Sequence, residues 1–299
     1  MSTTDQYKNC NLVCLKGLGE GAEKKTDVVV AGRRADATEH VLFFGGDVQD
    51  YPEEMMSHRD NGQYVRWNSL ATAALLCRRF PSAMVMVIKP HHMHLKTFSV
   101  YSQFVESSDF GCPTHSANYG ACQRLLEIQD RGLMGIPPLV DRRQVMVKQH
   151  IPRAVQTAVP RLPVTDPPKV PVHLIGFSKG CIVLNQLIFE LGHVKEDKSL
   201  STFLSQVHAM TWLDGGHNGG SNTWVTDPQV LQQLAALSVD VTVHVTPYQV
   251  KDSMRKWIGK EKKKFVELLV KAGAKVSDNL HFDDLPVSID NHFRVLEVF

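Results

Sequence analysis

No stretch of this chain approaches the roughly 18 consecutive apolar residues of a membrane-spanning helix, and its longest apolar runs are strand-sized. A transmembrane segment is therefore not expected. Cysteine is sparse: Cys10, Cys14, Cys77, Cys112, Cys122 and Cys181 are scattered through 299 residues without a Cys-x-x-Cys pair. That argues against a disulfide framework and reads as reduced thiols. Net charge is nearly absent too, since 33 Lys and Arg against 31 Asp and Glu leave +2. So weak a field gives no reason to expect a nucleic acid or an anionic membrane as partner. There is no internal repeat. The first forty residues lack the acid-poor, amphipathic character of a mitochondrial presequence, because Asp5, Glu20, Glu23 and Asp27 interrupt their lysines and arginines. Residues 1–39 read as a loosely ordered leader, and with no clear presequence the alternative is a cytoplasmic location.

What is present is a core-forming pattern. At 43% hydrophobic, the chain has enough apolar material to bury a continuous sheet. From residue 40 onward, strand-length apolar runs alternate with helical spacing. The strands read are 40–44, 83–88, 172–175, 207–213, 239–245 and 275–282, and the helices 68–80, 119–129, 179–191, 228–237 and 254–272. The first two runs, at 40–44 and 83–88, are apolar along their length rather than at every second residue, as in a parallel sheet covered on both faces. Residues 135–171 hold more than half of the fifteen prolines and read as a surface insertion. The expected architecture is α/β, a doubly wound, mostly parallel sheet with helices on both faces, as one domain over 40–299.

One junction carries chemistry. Between the strand Val172-His173-Leu174-Ile175 and the helix opening at Cys181 lies Gly176-Phe177-Ser178-Lys179-Gly180. A serine at the tip of a sharp strand-to-helix turn needs glycine two positions to either side, where a side chain would strike the opposing backbone. This predicts a nucleophile elbow at Ser178 and an α/β-hydrolase-like fold. The free N–H groups of the following helix place the Lys179 N–H to receive an oxyanion. A second donor is expected from the loop after the first core strand, at Gly46 or Asp47 in Gly45-Gly46-Asp47-Val48.

In such folds the acid and the histidine follow the serine in chain order. His292, beyond the last strand and a loop containing Pro286, is the expected base. His281 lies in the strand pattern, and His217 in the glycine-rich loop is the rival. Asp214, at a strand tip before Gly215 and Gly216, is the preferred acid. Asp252 is the alternative, although it also fits a helix N-cap. The glycine-rich loop 214–224 has the composition to cradle an anion, but shaping the pocket is the simpler reading. His91, His92 and His94 have no cysteine or carboxylate at fixed spacing, so no metal is expected. The run Lys260-Glu261-Lys262-Lys263-Lys264 reads as the solvated side of a helix.

Several segments carry a specific resemblance: Phe43-Phe-Gly-Gly-Asp-Val-Gln49, Ile175-Gly-Phe-Ser-Lys-Gly-Cys181, Trp212-Leu-Asp-Gly-Gly-His217, Gly219-Gly-Ser-Asn-Thr-Trp-Val-Thr226, His244-Val-Thr-Pro-Tyr-Gln-Val250, Trp257-Ile-Gly-Lys-Glu261 and His292-Phe-Arg-Val295. From about His40 to Phe299 the chain resembles an animal family of mitochondrion-associated α/β-hydrolase-like proteins, named for a human chromosome 2 open reading frame and without a settled substrate. The resemblance implies Ser178 at the nucleophile position and a mitochondrial location. It does not choose between Asp214 and Asp252.

Together these features lead to a serine hydrolase of esterase, lipase or thioesterase type, acting on a small-molecule or lipid-like acyl substrate. No cofactor is expected, since a Ser-His-Asp triad is chemically self-sufficient. A protein partner is not readable. The alternative is a catalytically inactive binding or regulatory protein on the same fold.

Overall fold

The computed structural model describes residues 10–18, 25–32, 37–135 and 170–299. Eight strands form one sheet: β1 (Leu12–Leu18), β2 (Thr26–Ala31), β3 (Glu39–Phe44), β4 (Ala83–Ile88), β5 (Val172–Phe177), β6 (Val207–Leu213), β7 (Asp240–Val245) and β8 (Val276–Leu280). Their order across the sheet is β1-β2-β4-β3-β5-β6-β7-β8. β2 pairs antiparallel with both β1 and β4, and every pairing from β4 across to β8 is parallel.

The main helices are α1 (Ser69–Arg79), α2 (Ala121–Met134), α3 (Cys181–Val194), α4 (Pro228–Ala235), α5 (Lys256–Lys271) and α6 (Ile289–Val298). Alternate strand residues supply two cores. Leu42, Phe44, Met84, Met86, Leu174 and Trp212 pack with α2, α3, α4 and α5. Val41, Phe43, Val85, Val87, Ile175 and Leu213 pack with α1 and α6. Phe43 and Phe44 thus serve opposite faces, both wholly buried, and burial of each contributes about 1.5–3 kcal/mol. Among the described residues, no helix is long and apolar enough to cross a membrane.

The leader reading needs correction. Leu12–Leu18 and Thr26–Ala31 are strands, and Val28, Val29, Val30 and Ala31 are at most 2% exposed. Thr26–Ala31 takes its order from antiparallel pairing with Val85–Ile88, a partner more than fifty residues away, and Leu12–Leu18 then adds to its free edge; neither depends on a local period. Of the Pro-rich insertion, 136–169 lie outside the described residues.

A long-range cap joins two helices. Glu190, on α3 and 2% exposed, accepts the N–H groups of Gly120, Ala121 and Cys122 at 2.8–2.9 Å. These are orphan donors at the start of α2, which has no acidic residue in its own first turn. Glu190→Gln keeps the shape but turns an N–H₂ toward one of those donors. Urea unfolding is expected to register a loss of about 2 kcal/mol at unchanged m.

Candidate active site

The sharp turn predicted at Ser178 is present. β5 ends at Phe177, a short 3₁₀ turn covers Ser178–Gly180, and α3 follows without a break. Ser178 has φ +52°, in the left-handed region, which costs a non-glycine residue energy and persists only where its surroundings impose it. A Cβ on Gly176 would sit 2.8 Å from Cys181 Cα, and one on Gly180 would sit 2.1 Å from Phe44 O. Both glycines therefore serve close approach, as the turn requires.

Asp214 and His292 meet. His292 Nδ1 lies 2.7 Å from Asp214 Oδ2, with both side chains buried. Asp214 ends β6 in a positive-φ turn and accepts two further hydrogen bonds: Thr246 N–H to Oδ1 at 2.8 Å and Thr246 Oγ–H to Oδ2 at 2.5 Å. Thr246 directly follows β7, so the tip of one strand braces the carboxylate offered by its neighbour. His292 lies in the first turn of α6, a helix absent from the sequence reading, which Ser288 caps by accepting the Asn291 N–H. The rings of Phe177 and Tyr248 flank the imidazole at centroid distances of 4.7 and 4.8 Å.

The alternatives are placed elsewhere. Asp252 accepts from Met254 N–H and Arg255 Nε, and these bonds, with Arg255 foremost, hold its carboxyl below the usual range. It organises the turn before α5 but is not that helix's N-cap, a position taken by Arg255 without a side-chain cap. His281 lies beside His244, with Nδ1 and Nε2 2.8 Å apart and the rings stacked. His217 Nδ1 accepts the Gly219 N–H, and Nε2 faces Asn222 O at 3.3 Å. Burial pushes its pKa down, and both ring nitrogens are engaged.

The loop after β3 comes directly against the elbow. A Cβ on Gly46 would fall 2.6 Å from Ser178 Cβ. The Gly46 N–H is already donated to Gln49 Oε1 at 3.0 Å, which removes Gly46 from the expected oxyanion donors. The buried Gln49 carboxamide fixes the loop further by donating to Trp67 O and Thr72 Oγ1. The Val48 N–H goes to Thr97 O at 2.7 Å, so of the two expected donors, Gly46 and Asp47, it is Asp47 whose N–H is not spent on a neighbour among the described residues.

Ser178 and His292 line one cleft of about 210 Å³ with Asp47, Val48, Phe98, Gly216, His217, Asn218, Tyr248, Gln249, Arg255, Ile289 and Phe293. Sequence reasoning missed Tyr248, Gln249 and Arg255, which enter from the turn after β7 and the approach to α5. The available signal was their position after a strand on the same sheet edge as Asp214. It also missed Glu261. This acid in the basic run turns inward, and its carboxylate accepts the N–H groups of Asn222, Thr223 and Trp224 at 2.7–3.3 Å. The glycine-rich loop cradles an anion supplied by the chain itself.

A model of the C2orf69 family matches residues 24–150 and 141–275. The protein named mitochondrial protein C2orf69 in Homo sapiens is 40% identical, over 99% of this chain and 84% of its own length. Its Danio rerio homolog is 44% identical, over 88% of this chain and 74% of its own. Among solved structures, esterase Est22 superposes with a TM-score of 0.50 at 11% identity, covering 97% of this chain and 77% of that one. At such identity the likeness speaks to the fold, which is that of the α/β-hydrolases. With matches to the family across most of its length, and relatives aligned at 40% identity and above, the chain belongs to the C2orf69 family.

Proposed function

We propose that the protein is a serine hydrolase cleaving an ester or thioester of a small acyl group, and that it works in mitochondria, as the names of its relatives suggest. The observation that carries the reading is the buried Asp214–His292 pair, 2.7 Å apart, opening onto the same cleft as a serine held at φ +52°. Ser178 Oγ attacks the acyl carbonyl while His292 Nε2 takes its proton. The same proton goes to the departing oxygen or sulfur as the acyl–oxygen or acyl–sulfur bond breaks. Water, deprotonated by His292, then releases the acid and restores the serine. Asp214 keeps Nδ1 protonated and stabilises the imidazolium. Asp47 and Lys179 offer backbone N–H groups to the oxyanion.

The polar share of the lining, from Asp47, His217, Asn218, Gln249 and Arg255, favours a short acyl group over a long alkyl chain. Acetate and butyrate p-nitrophenyl esters are expected to turn over faster than the decanoate.

A non-catalytic role on the same fold is the rival. The observation in its favour is that Gly46 spends its N–H within its own loop. A fluorophosphonate probe separates the two readings. The hydrolase reading expects a covalent adduct mapped by peptide mass spectrometry to Ser178. Folded protein that stays unlabelled at millimolar probe would refute it.

A further inference from the structure

The two residues left as oxyanion donors are joined through their own side chains. Lys179 is 0% exposed, and its Nζ lies 2.9 Å from Asp47 Oδ1 and 2.8 Å from Phe110 O. Its ammonium also stands 5.1 Å from the centre of the Phe98 ring, which borders the cleft. The same Asp47 oxygen accepts the Ser99 N–H at 2.7 Å and the Ser99 Oγ–H at 2.9 Å. Gly111, at φ +73°, lets its strand of chain close over the lysine stem, where a Cβ would come within 3.3 Å of Lys179 Cδ and 2.2 Å of Ser99 O. The lysine is therefore threaded from the elbow, beneath the 98–111 segment, to the β3 loop.

Taking an ammonium wholly out of water is expensive, and an ion pair in that setting does not by itself favour stability over an apolar side chain of similar size. What such an ion pair does supply, when hydrogen bonds anchor each end (Lys179 Nζ to Phe110 O, and Ser99 N–H and Oγ–H to Asp47), is a fixed distance between two backbones. We infer that the Lys179–Asp47 ion pair is a lock that holds the two oxyanion donors, the N–H groups of these same residues, at the spacing the reaction needs. Lys179 and Asp47 act here through their side chains as positioning residues, whatever their main-chain groups do. The inference rests on the hydrolase reading of Ser178. It adds a claim that this reading does not contain, since any residue can donate a main-chain N–H.

A donor pair set to the wrong spacing hinders the tetrahedral step more than the initial binding of the probe. The test therefore separates the maximal inactivation rate by a fluorophosphonate from its half-saturating concentration. Lys179→Met keeps the apolar stem and removes the ammonium. It is expected to lower the maximal rate about 30-fold with half-saturation changed less than threefold. Asp47→Asn, at a less enclosed position, is the second variant and is expected to do the same. Because the pair acts as one unit, the double variant should also lose about 30-fold, whereas independent contributions would multiply to about 900-fold.

Amide hydrogen exchange reads the lock without any chemistry at Ser178. In Lys179→Met, the segment Gly45–Gln49 is expected to exchange at least tenfold faster, while β5 keeps its wild-type protection. Unchanged exchange in that segment overturns the lock, whether or not the serine reacts. So do folded single variants whose maximal rates stay within threefold of wild type. Faster exchange together with a wild-type protein that no probe labels would keep the clamp between the two loops and overturn the hydrolase reading instead.

Discussion

Asp214→Asn is expected to slow fluorophosphonate labelling of Ser178 by about 10,000-fold with the fold intact, a loss of the size seen when the acid of a Ser-His-Asp triad is made an amide. The hydrogen bonds dictate it. Asp214 accepts from Thr246 N–H on one oxygen, and from Thr246 Oγ–H and His292 Nδ1 on the other. The main-chain N–H of Thr246 cannot turn away, so the single oxygen of an asparagine must face it. The amide N–H₂ is then directed at Thr246 Oγ and His292 Nδ1. A hydroxyl can rotate and accept. The imidazole can satisfy the new donor only by baring Nδ1 and moving its proton to Nε2, the nitrogen that has to take the proton of Ser178. The site keeps its shape and loses its base. Asp252→Asn is the matched control, because that carboxylate bonds only within its own turn, and its labelling rate should stay within about twofold. Asp214→Asn protein labelled within tenfold of the wild-type rate would remove Asp214 from the triad.

How far the sequence was legible divides along one physical line. The parallel strands β3 to β7 were readable because each is a short apolar-rich segment bounded by turn residues, continuous in β3 and β4 and interrupted by single polar residues in β5, β6 and β7. Ser178 and its flanking glycines were readable for a similar reason, as close backbone approach restricts which residues fit. Relations between distant segments were not readable. β2 has a core strand's composition, but its order comes from β4 across the sheet. Glu190 capping α2, Glu261 holding the loop at 222–224, and Lys179 reaching Asp47 each depend on a charged side chain finding a partner from 37 to 132 residues away in sequence. Spacing along a single chain carries no mark of such pairs. Helix α6 was missed because its ten residues are short for a periodic pattern and follow a loop of mixed composition.

The elbow also predicts a large effect on stability, at Gly180. Its backbone is in ordinary helical territory, φ −57° and ψ −20°, so alanine is conformationally welcome there and would on propensity alone stabilise by up to about 1 kcal/mol. Contact decides the sign. The added methyl would lie 2.1 Å from Phe44 O, 2.5 Å from Phe44 C and 2.7 Å from Gly45 O, all backbone atoms with no rotamer to change. Phe44 belongs to β3, which is paired on both sides in the middle of the sheet, so the strand cannot recede. Helix α3 must draw back by about an ångström, separating Leu184, Leu187 and Ile188 from the core they fill. We expect Gly180→Ala to destabilise by about 4 kcal/mol, at the upper end for a single substitution, and to lower Tm by roughly 10 °C. The retreat would also pull Ser178 from Gly46 and Lys179 from Asp47, so what remains folded should label slowly. Gly220→Ala, with nothing within 4 Å of the new methyl, should stay within about 0.5 kcal/mol of wild type. Denaturant unfolding that finds the two variants alike would mean that α3 and β3 can part without cost, and a hydroxyl carried on so loose a turn could not be held against His292.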